Sequence, residues 1–199
     1  MFVGGLMKTP LIIMAVAMLF AGCADPAPPE AALPSGAPYS PVKTSYSGFD
    51  NAKVVTVEPI SNTQNSTVKL NTVLGAQWNA AHPEDVILIA GVFSLKDRQG
   101  IAEAELIGIT GAELNIDGEK TDLQPTGTIP VITDNFILME YTNGYTTKLS
   151  VIDKILKSKR TWLRVHTPTG TVENAVIDGG LESGAYQALE KFMVTVNAP

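Results

Sequence analysis

The sequence predicts an α+β, β-rich domain: a mostly antiparallel sheet or sandwich with one short internal helix and one C-terminal helix. Three observations carry that expectation. Short apolar runs, several with period-two alternation, recur along residues 49–199. Turn signals separate them, notably Asp117-Gly118, Asn143-Gly144 and Thr167-Pro168-Thr169-Gly170. Helical spacing of apolar residues is confined to two stretches, one after Ser150 and one after Ser183.

The elements follow in chain order. Lys53 to Glu58 is valine-rich and reads as a strand, and Val86 to Phe93 is a continuous apolar run that suits a strand covered on both faces. Leu114 and Ile116 alternate with Glu113 and Asn115 up to Asp117-Gly118, and alternation resumes from Lys120 to Leu123, so these residues form a hairpin with a type I′ turn. Phe136 to Tyr141 is a further strand, and Asn143-Gly144 marks a second hairpin. Ser150 caps a helix with Val151, Ile152, Ile155 and Leu156 as its apolar stripe, ended by Lys157-Ser158-Lys159. Trp162 to His166 and Thr171 to Ile177 flank a type I turn. The last helix starts at a Ser183 cap and turns Tyr186, Leu189, Phe192, Met193 and Val196 to one side.

Composition closes several functional classes. The chain has 199 residues, is 45% hydrophobic, and carries 20 acids against 14 bases, which speaks against a nucleic-acid partner. One cysteine makes a disulfide scaffold impossible, and Cys23, His82 and His166 do not assemble a zinc site. Residues 49–199 hold 12 bases and 18 acids, and a chain of that length buries roughly 70% of its unfolded surface as one domain.

The N-terminus reads as an address. Lys8 precedes the apolar run Leu11 to Phe20, which at 1.5 Å per residue covers about half of a roughly 30 Å hydrocarbon core, too short for a membrane span. Translation is expected to start at Met1 or at Met7, which has Lys8 directly behind it. Residues 1–22 are then the signal peptide, and residues 23–48 are a linker holding six of the 13 prolines. In extended polyproline form such a linker reaches roughly 75 Å. The globular domain is expected over 49–199.

The segment Phe20-Ala21-Gly22-Cys23 resembles the lipobox of bacterial lipoproteins. The resemblance implies cleavage before Cys23, diacylation of its thiol and acylation of the new amino terminus, so that Cys23 is the lipidation residue. With Ala24 rather than Asp behind the cysteine, it also implies sorting to the outer membrane, periplasmic face, or to the outer face of the plasma membrane in a cell with one membrane. The order of elements over Phe136 to Val194 is similar to that of small bacterial envelope proteins of unassigned role, and transfers no function.

Catalytic motifs are sparse. Gly180-Leu181-Glu182-Ser183-Gly184 misses a nucleophile elbow by one position, and Ser183 reads as a cap. Glu113-x-Asn115-x-Asp117-Gly118 spaces oxygens like a calcium loop but lacks the first Asp and the twelfth Glu. His82 belongs to a polar turn before Pro83. His166 shares a strand face with Trp162 and Arg164, because side chains two apart point the same way. Lys154, Lys157, Lys159, Arg160 and Arg164 form a basic cluster that helix-end preference explains, and Glu103, Glu105, Glu113, Asp117, Glu119 and Asp122 an acidic set.

Together these features predict a non-catalytic, lipid-anchored module without cofactor or metal. Its binding face would be Trp162, Arg164 and His166, its partners the membrane through Cys23 and an envelope protein or saccharide. Two other readings stand beside it, a small hydrolase using His166 with a carboxylate, and a lipid carrier.

Overall fold

The computed structural model describes residues 42–63, 70–95, 108–127, 131–134 and 138–198. Within them the chain runs β1 (Lys43–Tyr46), β2 (Lys53–Ser61), β3 (Leu70–Asn79), β4 (Asp85–Leu95), β5 (Gly111–Ile116), β6 (Glu119–Pro125), β7 (Val131–Asp134), β8 (Leu138–Lys148), α1 (Leu149–Lys157), β9 (Arg160–Thr167), β10 (Gly170–Asp178), β11 (Leu181–Glu182) and α2 (Gly184–Asn197). The strands form one sheet in the order β1-β2-β3-β4-β8-β6-β5-β9-β10-β11, with β7 paired to β8 and every pairing antiparallel. The β-rich α+β class predicted from sequence is therefore observed.

Alternation explains which face is inside. On β4, Val86, Leu88, Ala90 and Val92 are buried while Ile87, Ile89 and Phe93 are half-covered, so one face carries the core. Val55 and Val57 of β2, Leu74, Ala76 and Trp78 of β3, and Tyr145 of β8 continue the same inner surface. Burial pushes the Tyr145 phenol up to about 12. On the other half of the sheet Ala112, Leu114, Leu123, Leu163 and Val165 face the same core. The helices fill the interior between them, α2 with Ala185, Leu189 and Phe192 and α1 with Ile152 and Ile155, all of them fully buried.

Two glycines let the sheet bend. A side chain at Gly75 would come within 2.6 Å of the Val57 carbonyl, beside the irregularity in β2 between Val57 and Ile60. At Gly91 a Cβ would lie 1.9 Å from the Tyr141 carbonyl. Bulges and close backbone approach of this kind bend and twist a sheet. The bend brings β10 against the start of β3, where β2 has already left the ladder. There Asn174 accepts from the Thr72 amide at 2.6 Å, and Asn62 donates its amide to the Thr72 carbonyl and its side chain to Thr72 Oγ1, both at 2.9 Å. Ser183 donates to Asn62 at 3.4 Å and caps α2 by accepting from the Tyr186 amide at 3.2 Å. Asn62, Thr72 and Ser183, and with them Asn71, whose Oδ1 accepts from Asn174 Nδ2 at 3.4 Å, are buried with hydrogen-bond partners, as burial requires.

Several expectations change. Asn143 and Gly144 turn nothing: they lie mid-strand in β8, opposite Ala90 and Ile89, because eleven residues of pairing with β4 outweigh a local turn preference. Residue 136, in the segment expected as a strand, lies outside the described residues. The folded unit starts before Phe49, since β1 pairs with β2 from Lys43 within the stretch expected to be linker. Helix α1 begins at Leu149, not behind a Ser150 cap. Lys148 holds the cap position without a side-chain bond, and the Leu149 amide donates to the Glu84 carbonyl at 2.8 Å. The type I′ turn is as read, with φ of 50° at Asp117 and 96° at Gly118.

Candidate functional site: a mixed-charge groove on β9

Strand β9 alternates cleanly. Thr161, Leu163, Val165 and Thr167 are buried, and Trp162, Arg164 and His166 point to the opposite face, each half-exposed. Register then decides their neighbours. Arg164 stands between Glu113 of β5 and Glu173 of β10, Trp162 between Asn115 and Ala175, and His166 between Gly111 and Thr171. Two further positions, Asp122 and Lys120 of β6, extend the first two rows.

Arg164 is the electrostatic centre. Its Nη1 donates to Glu113 Oε1 at 2.5 Å and its Nε donates to Glu173 Oε1, so the guanidinium is gripped from both neighbouring strands. The bond to Glu173 and then that to Glu113 hold its pKa above the ordinary value. Glu113 is the more enclosed carboxylate, with 14% of its side chain exposed. His166 Nε2 lies 3.5 Å from the same Glu113 oxygen that Arg164 occupies. That oxygen is thereby already neutralised, which weakens Glu113 as an orienting partner for a histidine base.

Trp162 forms the floor of a groove of about 320 Å³, which Glu113, Asn115, Lys120, Arg160, Arg164 and Glu173 also line. The Arg160 guanidinium carbon lies 5.4 Å from the ring centroid, within cation–π range, while its Nε reaches Asp178 at 3.4 Å. Asn115 Oδ1 accepts from the Gly118 amide at 2.9 Å, fixing its orientation across the hairpin tip. Trp162 Nε1 is buried and has no hydrogen-bond partner among the described residues. Trp78, by contrast, donates its indole to the Pro83 carbonyl at 3.0 Å.

No protein-family model, curated protein or solved structure matches the chain.

The structure brings the three sequence-derived residues Trp162, Arg164 and His166 onto one face and adds partners that sequence reasoning missed. Glu113, Asn115 and Glu173 join them only through strand register, which no local pattern reveals. Alternation did place Glu113 and Asn115 on the polar side of β5; the missing information was that β5 lies beside β9. The basic cluster is largely paired, Arg164 as above, Arg160 with Asp178, and Lys154 with Glu119 at 3.7 Å. The calcium-like oxygens are committed elsewhere: Asp117 accepts from the Arg160 and Lys159 amides at 2.9 and 3.1 Å and pins the hairpin tip to β9. His82 sits in the turn between β3 and β4, its amide donating to the Asn79 carbonyl at 2.9 Å. Cys23, Glu103 and Glu105 lie outside the described residues.

Proposed function

We propose that this chain is a lipid-anchored protein of the bacterial envelope, held by Cys23 at the periplasmic face of the outer membrane, whose domain is a non-catalytic binding module. The observation that carries the binding role is the groove around Trp162. An aromatic floor stands beside an arginine immobilised by two carboxylates, and pre-organised side chains of this kind lower the entropic cost of holding a ligand. The anchor rests on Phe20-Ala21-Gly22-Cys23 and the proline-rich stretch behind it. Two features speak against the hydrolase reading, the sharing of Glu113 Oε1 between Arg164 and His166 and the commitment of Ser183 to capping α2. The filling of the interior by Tyr145, Phe192, Leu74 and Leu88 speaks against a lipid carrier.

The test is cross-linking in intact cells, comparing the native chain with Cys23→Ala and with the double variant Trp162→Ala/Arg164→Ala. A discrete cross-linked species is expected, lost in the unanchored form and reduced at least fivefold in the double variant. A species that survives the double variant unchanged would remove the groove from the interaction.

A further inference from the structure

The groove's unused hydrogen-bonding capacity is mostly that of donors. Asn115 spends its acceptor oxygen on the Gly118 amide, which leaves the Nδ2 donors as the end it has to offer. Lys120 and Arg160 are donors with no acceptor capacity, and both line the groove. Glu113 and Glu173 each give Oε1 to Arg164, which leaves one oxygen of each to accept from a ligand hydroxyl. Trp162 also lines the groove, and its Nε1 is a buried donor with no acceptor among the described residues. A donor in that state carries an uncompensated desolvation cost, which a ligand carbonyl would relieve.

We infer that the groove binds an N-acetylated saccharide, one ring lying on the Trp162 indole and its acetamide carbonyl accepting from Trp162 Nε1. This inference rests on the proposed binding role of the face and names the ligand class for it. A sugar ring has an apolar C–H face that suits an indole, and an edge of polar groups that suits Asn115, Lys120 and Arg160. The acetamide, rather than a carboxylate, matches the enclosed indole N–H. A neutral carbonyl loses far less on leaving water than an ionised group does. Arg160, whose guanidinium carbon stands 5.4 Å from the centroid of the ring on which the sugar would lie, is the group that gives way: its side chain is 62% exposed and its hold on Asp178 is a single 3.4 Å contact.

The experiment titrates the purified full chain in detergent micelles with three trisaccharides: the N-acetylglucosamine trimer, the glucosamine trimer and maltotriose. Affinity is read by calorimetry, and the two indole N–H signals by nitrogen-15 labelling of Trp78 and Trp162. The N-acetylated trimer is expected to bind at least tenfold tighter than the other two and to move the Trp162 signal, with that of Trp78 unchanged as the internal check on folding. Trp162→Phe, which keeps an aromatic floor but loses the donor, is expected to bind about tenfold more weakly. Equal affinity for all three sugars, or an unchanged Trp162 signal, overturns the inference. No binding of any sugar, with a cross-linked species that still requires Trp162 and Arg164, also overturns it and leaves the binding role of the face standing. Absence of both overturns the two together.

Discussion

Glu140 shows how a single residue can be read through pH. It lies on β8 opposite Phe93, half-buried, and burial followed by the nearby charge of Glu58 raises its pKa above the ordinary 4.5. A carboxyl whose folded value is raised binds its proton more tightly in the native state. Stability therefore increases as pH falls through the folded value toward 4.5, and the charged form is a liability at neutral pH. Glu140→Gln is expected to melt higher than the native chain at pH 7, and the gap should close as pH is lowered to about 4. Thermal denaturation followed by circular dichroism across that range checks it; a gap independent of pH would mean that lost charge is not the cause.

Among the elements, β4 and β8 carry the most demanding geometry. Their ladder runs without a break from Asp85–Lys148 to Leu95–Leu138 and passes Gly91 over the Tyr141 carbonyl. Gly91→Ala would place a carbon 1.9 Å from that oxygen, and relief requires the backbone itself to move. The expected loss is about 3 kcal/mol, the upper range for overpacking, seen as a lower denaturant midpoint. Gly118→Ala is the informative comparison, because nothing lies within 4 Å of its added carbon and only the φ of 96° is strained, so a loss of about 1 kcal/mol is expected. Equal losses would show that conformation rather than crowding sets the cost. The same contrast explains what was legible in the sequence. Asp117-Gly118 could be read because a type I′ turn is local chemistry. Asn143-Gly144 misled because the cause that overrides it, pairing with Ile89 and Ala90, is more than fifty residues away. Strand β3 gave no sequence expectation at all: its burial is almost continuous from Asn71 to Ala76, with Thr72 and Gly75 among apolar residues, so no clean period appears.

At the scale of the whole molecule, the meeting of β10 with β3 depends on few atoms. Asn174 spans from β10 to the backbone of β3 and to Asn71, the latter at 3.4 Å. Asn174→Ala would leave the Thr72 amide without its acceptor in a fully buried position, at an expected cost of about 2 kcal/mol. Hydrogen exchange should localise the damage: amides at the start of β3 lose protection first, while those of the β9–β10 ladder keep theirs. Uniform loss over both would mean that this residue is not what holds β10 to β3. The groove at Trp162 takes Glu173 from β10, but successive strand side chains point to opposite faces and Asn174 is turned to β3, so sugar or partner binding should survive this variant.

That long-range contact also bears on the timing of folding. Thr72 and Asn174 are 102 positions apart, and Glu113 must find Arg164 across 51. A chain with such distant partners bears its loop-closure entropy before it gains the compensating contacts, and β-rich topologies of this kind fold in milliseconds to seconds. For a polypeptide that we propose to be exported behind a signal sequence, delay is an asset. A domain in which β10 must reach β3 cannot make those contacts while its second half is still being made, and a chain that we propose to be exported would keep for that time the unfolded form that threading through a membrane requires.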